Sequence, residues 1–148
     1  MHVRRQIVNA AATALQGLAT TGTRVYAGRS WPVPSSASAY LLVYARQEQS
    51  ASATTGGAAR KLLRQMRLIV EGIDSRAADD DAILDTIAAE VETALMADPT
   101  LSGEAKDIHL VQTDMIVTAD DNDRRIAQVR LEFTATYLTA ANAPETAA

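Results

Sequence analysis

The acidic run at positions 120–123 (DDND) is the first place where residue types and spacing could support chemistry. Counted from Asp121, Glu132 falls on the last position of a calcium-binding loop, where such loops carry a bidentate carboxylate. However, Arg125 then occupies a ligand position, and Ile126 occupies the position that requires glycine. Because aspartate and asparagine are favoured turn residues, the run predicts a solvated hairpin turn and not a calcium site.

Three consecutive aspartates at positions 79–81 form the second acidic run. Their carboxylates could hold a divalent cation, but the sequence implies no second carboxylate cluster beside them. They directly precede an apolar segment of helical period. Side-chain oxygens at such a position cap free backbone N–H groups and favour the positive end of the helix dipole. The run therefore predicts the start of a helix.

The remaining candidate motifs do not match catalytic spacings. Gly56 and Lys61 lie in a segment of small residues that lacks the GxxxxGK[ST] spacing of a phosphate-binding loop. His2 and His109 are the only histidines, and no HExxH motif, Ser-centred elbow or pair of catalytic acids accompanies them. A Ser/His/Asp triad is defined by geometry and can be scattered along a chain. We expect no enzymatic activity, no cofactor and no metal site.

Composition and charge bound the class of protein. The 148 residues suit one domain, predicted over residues 1–140, followed by a disordered tail at 141–148. The formal net charge of −4 argues against general nucleic-acid binding, which needs a basic surface. The absence of cysteine excludes disulfides and thiolate metal sites.

No apolar run approaches the ~20 residues of a membrane span. Because no apolar segment follows Arg4 and Arg5, we expect no signal peptide and synthesis in a cytoplasm.

The clearest structural pattern is a β-hairpin over residues 107–139. Its arms are predicted at 107–118 and 125–138, with a turn at 119–123. In the second arm apolar and polar residues alternate strictly, which predicts one buried face and one polar face. The predicted buried residues are Ala127, Val129, Leu131, Phe133, Ala135 and Tyr137.

The middle of the chain is less regular. Residues 24–26 and 40–45 are typical of short strands, and Pro32 and Pro34 predict an irregular passage between them. Residues 47–59 are small and polar and predict a mobile loop. The apolar residues of 61–73 fit a helix and also one face of a strand, so periodicity does not decide. We predict a strand there, because the strand at 40–45 needs a hydrogen-bonded neighbour.

Apolar residues recur at three- and four-residue spacing over residues 3–19 and 81–97, which predicts two amphipathic helices. With the strands, they predict an α+β fold. Its mixed or antiparallel β-sheet would carry both helices packed on one face and would end in the C-terminal β-hairpin.

A cluster of basic residues is the best candidate for an interface in this acidic chain. Its members are Arg60, Lys61, Arg64 and Arg67. One interpretation is a solvated strand. The other is a basic stripe that contacts an acidic partner, such as the region of Asp79 and Asp81 in a neighbouring copy.

Five segments between positions 3 and 138 follow one another in a characteristic order. They are the helix at 3–18, the RVY strand at 24–26 before the Pro-interrupted passage, the LLVY strand at 41–44, the RLIVEG segment at 67–72 before the acidic-capped helix with IAAEVE, and the hairpin end LEFTATY at 131–137. In this order they resemble the minor tail protein U, or tail terminator, family of long-tailed bacteriophages and related gene-transfer particles. The resemblance rests on the order and character of the elements and not on a signature motif.

The resemblance implies a structural virion protein at the head-proximal end of the tail, assembled in the host cytoplasm. Its protomers would form a hexameric ring that caps the tail tube, stops polymerisation of the tube protein and joins a head-completion or neck protein. Such a ring uses heterologous contacts that close after a fixed rotation. No membrane or direct nucleic-acid recognition is expected. The alternatives are another head–tail connector or neck protein, and a small ligand-binding α+β domain.

Overall fold

Both helices lie on one face of a mixed β-sheet, in a computed structural model that describes residues 1–28, 38–74, 80–119 and 125–148. The helices are α1 (Val3–Ala14) and α2 (Asp80–Met96). The strands are β1 (Val25–Ala27), β2 (Tyr40–Ser52), β3 (Lys61–Asp74), β4 (Asp107–Ala119), β5 (Arg125–Ala140) and β6 (Ala143–Ala147). The predicted α+β class is confirmed, with helices packed on one face and a C-terminal hairpin made of β4 and β5.

The strand order is β1-β2-β3-β5-β4, and β6 pairs with β5 beyond the end of β4. β1 runs parallel to β2, whereas each other pair of neighbouring strands is antiparallel. β3 therefore lies between β2 and β5, and both sides of its backbone find partners. This confirms the strand prediction for 61–73, which periodicity could not decide.

The core lies between the helices and the sheet. All six residues predicted to be buried on the second hairpin arm are buried, from Ala127 to Tyr137. They form one apolar cluster with helix residues at helical spacing, among them Ile7 and Ala11 of α1 and Ile87 and Val91 of α2. The apolar residues that repeat every two positions on β5 and those that repeat every three or four positions on the helices thus form the two sides of one core.

α1 is shorter than its apolar period predicts, because it ends at Ala14 and not near residue 19. Leu15 is the cap residue and is still fully buried. Gly17 follows at a φ of +83°, a left-handed conformation that glycine adopts without a steric penalty. The apolar spacing therefore continues past the helix because the turn also contributes a side chain to the core.

The prediction of a mobile loop at 47–59 is wrong for its first half. β2 continues to Ser52, with pairing to β3 that runs from Gln47 opposite Arg67 to Ser52 opposite Leu62. These residues are mostly exposed, so no apolar alternation marks them as a strand, and backbone pairing with β3 extends the strand through them. The loop itself is short and closes through a hydrogen bond of 2.8 Å from the Ala53 N–H to the Lys61 carbonyl.

The segment at 141–148, which the sequence predicts as a disordered tail, contains the short strand β6. β6 pairs with β5 through Ala140 opposite Ala143 and Thr139 opposite Ala147. In addition, Gln6 on α1 donates its side-chain amide to the Glu145 carbonyl at 2.9 Å. Backbone and amide contacts hold this Ala-rich segment, and such contacts leave no signature in residue hydrophobicity.

Three sequence predictions fall outside the described residues. They concern the Pro-interrupted passage at 31–34, the capping role of Asp79 and the turn residues 120–123. The arms that flank this turn extend as predicted, with β4 reaching Ala119 and β5 beginning at Arg125.

Candidate functional site

A charged cluster joins three neighbouring strands on the sheet face away from the helices. Glu71 on β3 accepts hydrogen bonds from the Tyr44 hydroxyl and, at 3.1 Å, from Arg130 Nη2. Burial and then the bond to Glu71 raise the pKa of Tyr44, while the same carboxylate raises the pKa of Arg130. The cluster satisfies its polar atoms internally and fixes β2, β3 and β5 relative to one another.

A second polar network lies on the helix face and centres on Glu48 of β2. Its carboxylate pairs with Arg64 Nη1 at 2.9 Å and with Arg4 Nη1 at 3.3 Å, and it accepts a hydrogen bond from the Tyr137 hydroxyl. Only 8% of the Glu48 side chain and 12% of the Arg64 side chain are exposed. One carboxylate therefore ties α1, β2, β3 and β5 together.

Tyr137→Phe is expected to lower the free energy of unfolding by about 1–2 kcal/mol at neutral pH, because Glu48 loses one donor. Burial and then the bond to Glu48 raise the pKa of Tyr137 above its ordinary value of 10.0. A raised pKa means that folding favours the neutral phenol. The stabilisation from the neutral Tyr137 side chain is complete below the pKa of the unfolded state. It is lost as pH rises toward the higher pKa of the folded state.

Urea unfolding of the wild type and of Tyr137→Phe across this alkaline range measures the effect. The difference between the two proteins should narrow as pH increases above 10. A difference that stays constant through the alkaline range would contradict the assigned role of the hydroxyl.

The structure does not gather the predicted basic residues into one stripe. Arg64 and Arg67 lie on opposite faces of β3, as strand alternation requires. Arg60 precedes the strand, where its Nε donates to the Gly57 carbonyl at 3.1 Å, and Lys61 is exposed at the strand start. Asp81 is exposed at the beginning of α2. Their role as an interface stays a prediction.

Within that group, Arg64 and Arg67 differ in how far they are available to a partner. Arg64 is engaged by Glu48 and donates its Nε to Thr139 Oγ1 at 2.9 Å. Arg67 remains 43% exposed, donates its Nη1 to Thr134 Oγ1 at 3.3 Å and lies 3.9 Å from the Glu132 carboxylate. Charge reversal at Arg64 would therefore damage the folded subunit, and Arg67 is the better position at which to test a surface role.

The outer strand β4 carries an apolar surface that the sequence reasoning missed. Four of its large apolar side chains are exposed, by 44–56%: Val111, Met115, Ile116 and Val117. In the part of the chain that the structure describes, β4 pairs only with β5, so its other edge has no strand partner. We call this edge with its four apolar residues the β4 edge. The sequence signal for this surface was the consecutive apolar run Met115-Ile116-Val117. A strand at a sheet margin cannot bury both of its faces, so such a run leaves apolar side chains exposed.

The opposite margin of the sheet has a different character. β1 covers β2 only from Leu41 to Val43, and the described residues supply no strand beside positions 46–52 on that side. Arg46 lies exposed there, and a groove near it is lined by His2, Arg4 and Arg5. Burial and then the charge of Arg4 lower the pKa of His2. We call positions 46–52 with Arg4 and Arg5 the β2 edge.

Within residues 1–28, 38–74, 80–119 and 125–148, no three His, Asp or Glu side chains form a group able to hold a metal ion. None of the helices found in those ranges has the length and apolar character required to cross a bilayer.

Comparison with known proteins gives a structural likeness but no likeness in sequence. No family model matches the sequence, and no curated protein matches it. Among solved structures, the chain is similar to a chain from the virion of a native gene transfer agent particle, with 17% sequence identity and a TM-score of 0.42. The similarity covers 91% of this chain and 90% of that chain. At this TM-score the likeness does not define a function.

Proposed function

We propose that this protein is a structural virion component of the tail-terminator kind, which forms a ring on the tail tube and ends its growth. The observation that carries the proposal is the β4 edge, a thirteen-residue strand with four exposed apolar residues and one side that no other described strand pairs. Long, apolar edge strands without protection pair readily with other chains. The order of elements that resembles the tail-terminator family supports the same assignment.

The two polar networks support this role by making the subunit rigid. Glu48 and Glu71 each hold residues from several elements, so the relative positions of β2, β3 and β5 are constrained. A ring that adds to the end of a tube needs a fixed angle between successive copies in order to close. Six copies of a 15.8 kDa chain would have a mass of about 95 kDa.

In this proposal the ring is not an enzyme and binds no cofactor. One side of it would occupy the site where the next ring of tube protein would add, and its far side would offer no equivalent site. The far side would contact a head-completion or neck protein. The chain would then lie in the virion at the head-proximal end of the tail, after assembly in the host cytoplasm.

Deletion of the gene from the particle that encodes it tests the proposal, with electron microscopy of the resulting tails. A terminator predicts overlong tails without heads, and complementation with the wild-type gene should restore the normal length. Tails of normal length that fail to join heads would indicate another neck protein. Particles with normal, attached tails would contradict both roles.

A further inference from the structure

The N-terminus of α1 is capped by a histidine. The Nδ1 atom of His2 accepts a hydrogen bond of 3.1 Å from the Arg4 N–H. The backbone carbonyl of His2 accepts the N–H groups of Arg5 and Gln6 at 2.9 and 3.2 Å. Serine, threonine, aspartate and asparagine are the usual residues at this position, because their side-chain oxygens accept from the free N–H groups of the first turn. An imidazole can do the same, but it gains a proton near neutral pH.

The bond from Arg4 requires the neutral imidazole. A backbone N–H can only donate, so Nδ1 of His2 must present its lone pair, and the ring proton must lie on Nε2. In the protonated ring both nitrogens carry hydrogen and neither can accept. Protonation therefore removes the side-chain cap of α1. It also adds a positive charge at the end of the helix where the backbone dipole disfavours cations.

The charges around His2 add to this effect. They belong to Arg4 and Arg5 of α1, Glu48 of β2, Arg64 of β3 and Glu145 of β6. Glu48 is already paired with two of these arginines, and the Glu145 side chain is 68% exposed. Burial and then the charge of Arg4 outweigh the two carboxylates, so the pKa of His2 lies below its ordinary value of 6.5. The folded subunit thus favours the neutral ring.

The first turn of α1 also holds the strand β6. The side-chain amide of Gln6 donates to the Met1 carbonyl at 2.6 Å and to the Glu145 carbonyl at 2.9 Å. This amide therefore joins the residue before the cap to the middle of β6. The pairing of β6 with β5 consists of two residue pairs, and residues 144–146 between them have no partner in that register. A first turn that frays would move Gln6 and open its contact with β6.

From the cap geometry and the Gln6 contact, we propose that His2 is an acid-sensitive latch between α1 and β6. When the ring is protonated, the first turn of α1 loses its cap, and the contact between Gln6 and β6 opens. When the ring is neutral again, the cap and the contact re-form. The latch lies within one subunit, so it operates whether or not the chain assembles into the proposed ring.

The direction of the pH dependence follows from the preference of the folded subunit for the neutral ring. The stabilisation from the cap is complete above the pKa of His2 in the unfolded chain. It is lost as pH falls toward the lower pKa of the folded state. Acid therefore opens the latch.

NMR of the full chain, at a series of pH values between about 5 and 8, follows the latch directly. The ring protons of His2 report its titration, and the side-chain amide protons of Gln6 report the contact with β6. Both signals should change with one midpoint, below pH 6.5. Hydrogen exchange of the Gln6 backbone amide, corrected for its intrinsic pH dependence, should lose protection about fivefold, as expected for loss of a helix cap.

Two variants separate the latch from other effects of acid. His2→Asn keeps a favoured cap residue that does not titrate in this range, so the Gln6 signals and protection should become independent of pH. His109→Gln removes the second histidine of the chain, whose side chain is 56% exposed, and should leave the midpoint of the Gln6 signals unchanged.

Three results would overturn the inference. They are a His2 ring that titrates while the Gln6 amide signals stay constant, a pH response that persists in His2→Asn, and a midpoint that moves in His109→Gln. None of them bears on the terminator role, which the length of the tails tests separately.

Discussion

Glu48→Ala is expected to lower the free energy of unfolding by about 3–5 kcal/mol. The carboxylate is the shared acceptor for Arg64, Arg4 and the Tyr137 hydroxyl. Its removal leaves the guanidinium of Arg64 largely buried, with Thr139 as its remaining polar contact. An uncompensated buried charge costs more than the net contribution of the intact pair.

Urea denaturation followed by circular dichroism measures this effect. The matched control is Glu145→Ala, which removes an ion pair of 3.1 Å with the N-terminal amine from a carboxylate whose side chain is 68% exposed. Exposed pairs contribute little, so this control should change stability by less than about 1 kcal/mol. Equal losses in the two variants would contradict the assigned importance of burial.

The double variant Glu48→Ala with Arg64→Ala sharpens the test. If the cost of Glu48→Ala arises mainly from the isolated Arg64 charge, removal of that charge should recover part of the lost stability. The sum of the losses in unfolding free energy of the two single variants should therefore exceed the loss of the double variant by about 0.5–3 kcal/mol. Strictly additive losses would mean that the two side chains act independently.

Gly72→Val is expected to lower the free energy of unfolding by about 3 kcal/mol, at the upper end of the range for overpacking a core. A Cβ atom at this position would lie 2.5 Å from Ile87 Cγ2 and 3.1 Å from Val129 Cγ1. Ile87 belongs to α2 and its branched side chain has little freedom to move. Glycine is therefore needed here to allow α2 to approach β3.

A double-mutant cycle with Ile87→Ala isolates this contact. Alone, Ile87→Ala should cost about 2–5 kcal/mol through the cavity that it leaves. Combined with Gly72→Val, the added side chain should occupy that cavity, and the total loss should be smaller than the sum of the two single losses. A fully additive cycle would mean that the two residues do not compete for the same space.

Local sequence patterns predicted the parts of the fold in which burial alternates. On β5, every second residue from Ala127 to Tyr137 is buried, so the strand and its orientation were both evident. The segment at 61–73 was assigned correctly for a non-local reason, because the neighbouring strand required a partner. By contrast, residues 47–52 and 143–147 are mostly exposed, and nothing in their composition indicated that backbone pairing would order them.

The interface role of the basic residues stays a prediction, but the sequence could not show which of them are engaged inside the folded subunit. Arg64 and Arg67 are near in sequence, yet alternation places them on opposite faces of the sheet. The partner of Arg64 is Glu48, which lies on another strand. Conversely, the apolar run at 115–117 was visible in the sequence, but its importance depends on β4 being the outermost strand.

Short-range periods in the sequence were sufficient to predict the two helices, the hairpin and the face of β5 that enters the core. Which strands lie at the margins of the sheet, and which charged residues are engaged in internal pairs, became apparent only once the strands were placed beside one another. Strand order and ion pairing join residues that are distant along the chain, as Glu48 and Tyr137 are. No local pattern records such a contact, and the surfaces left for assembly are those that these contacts do not use.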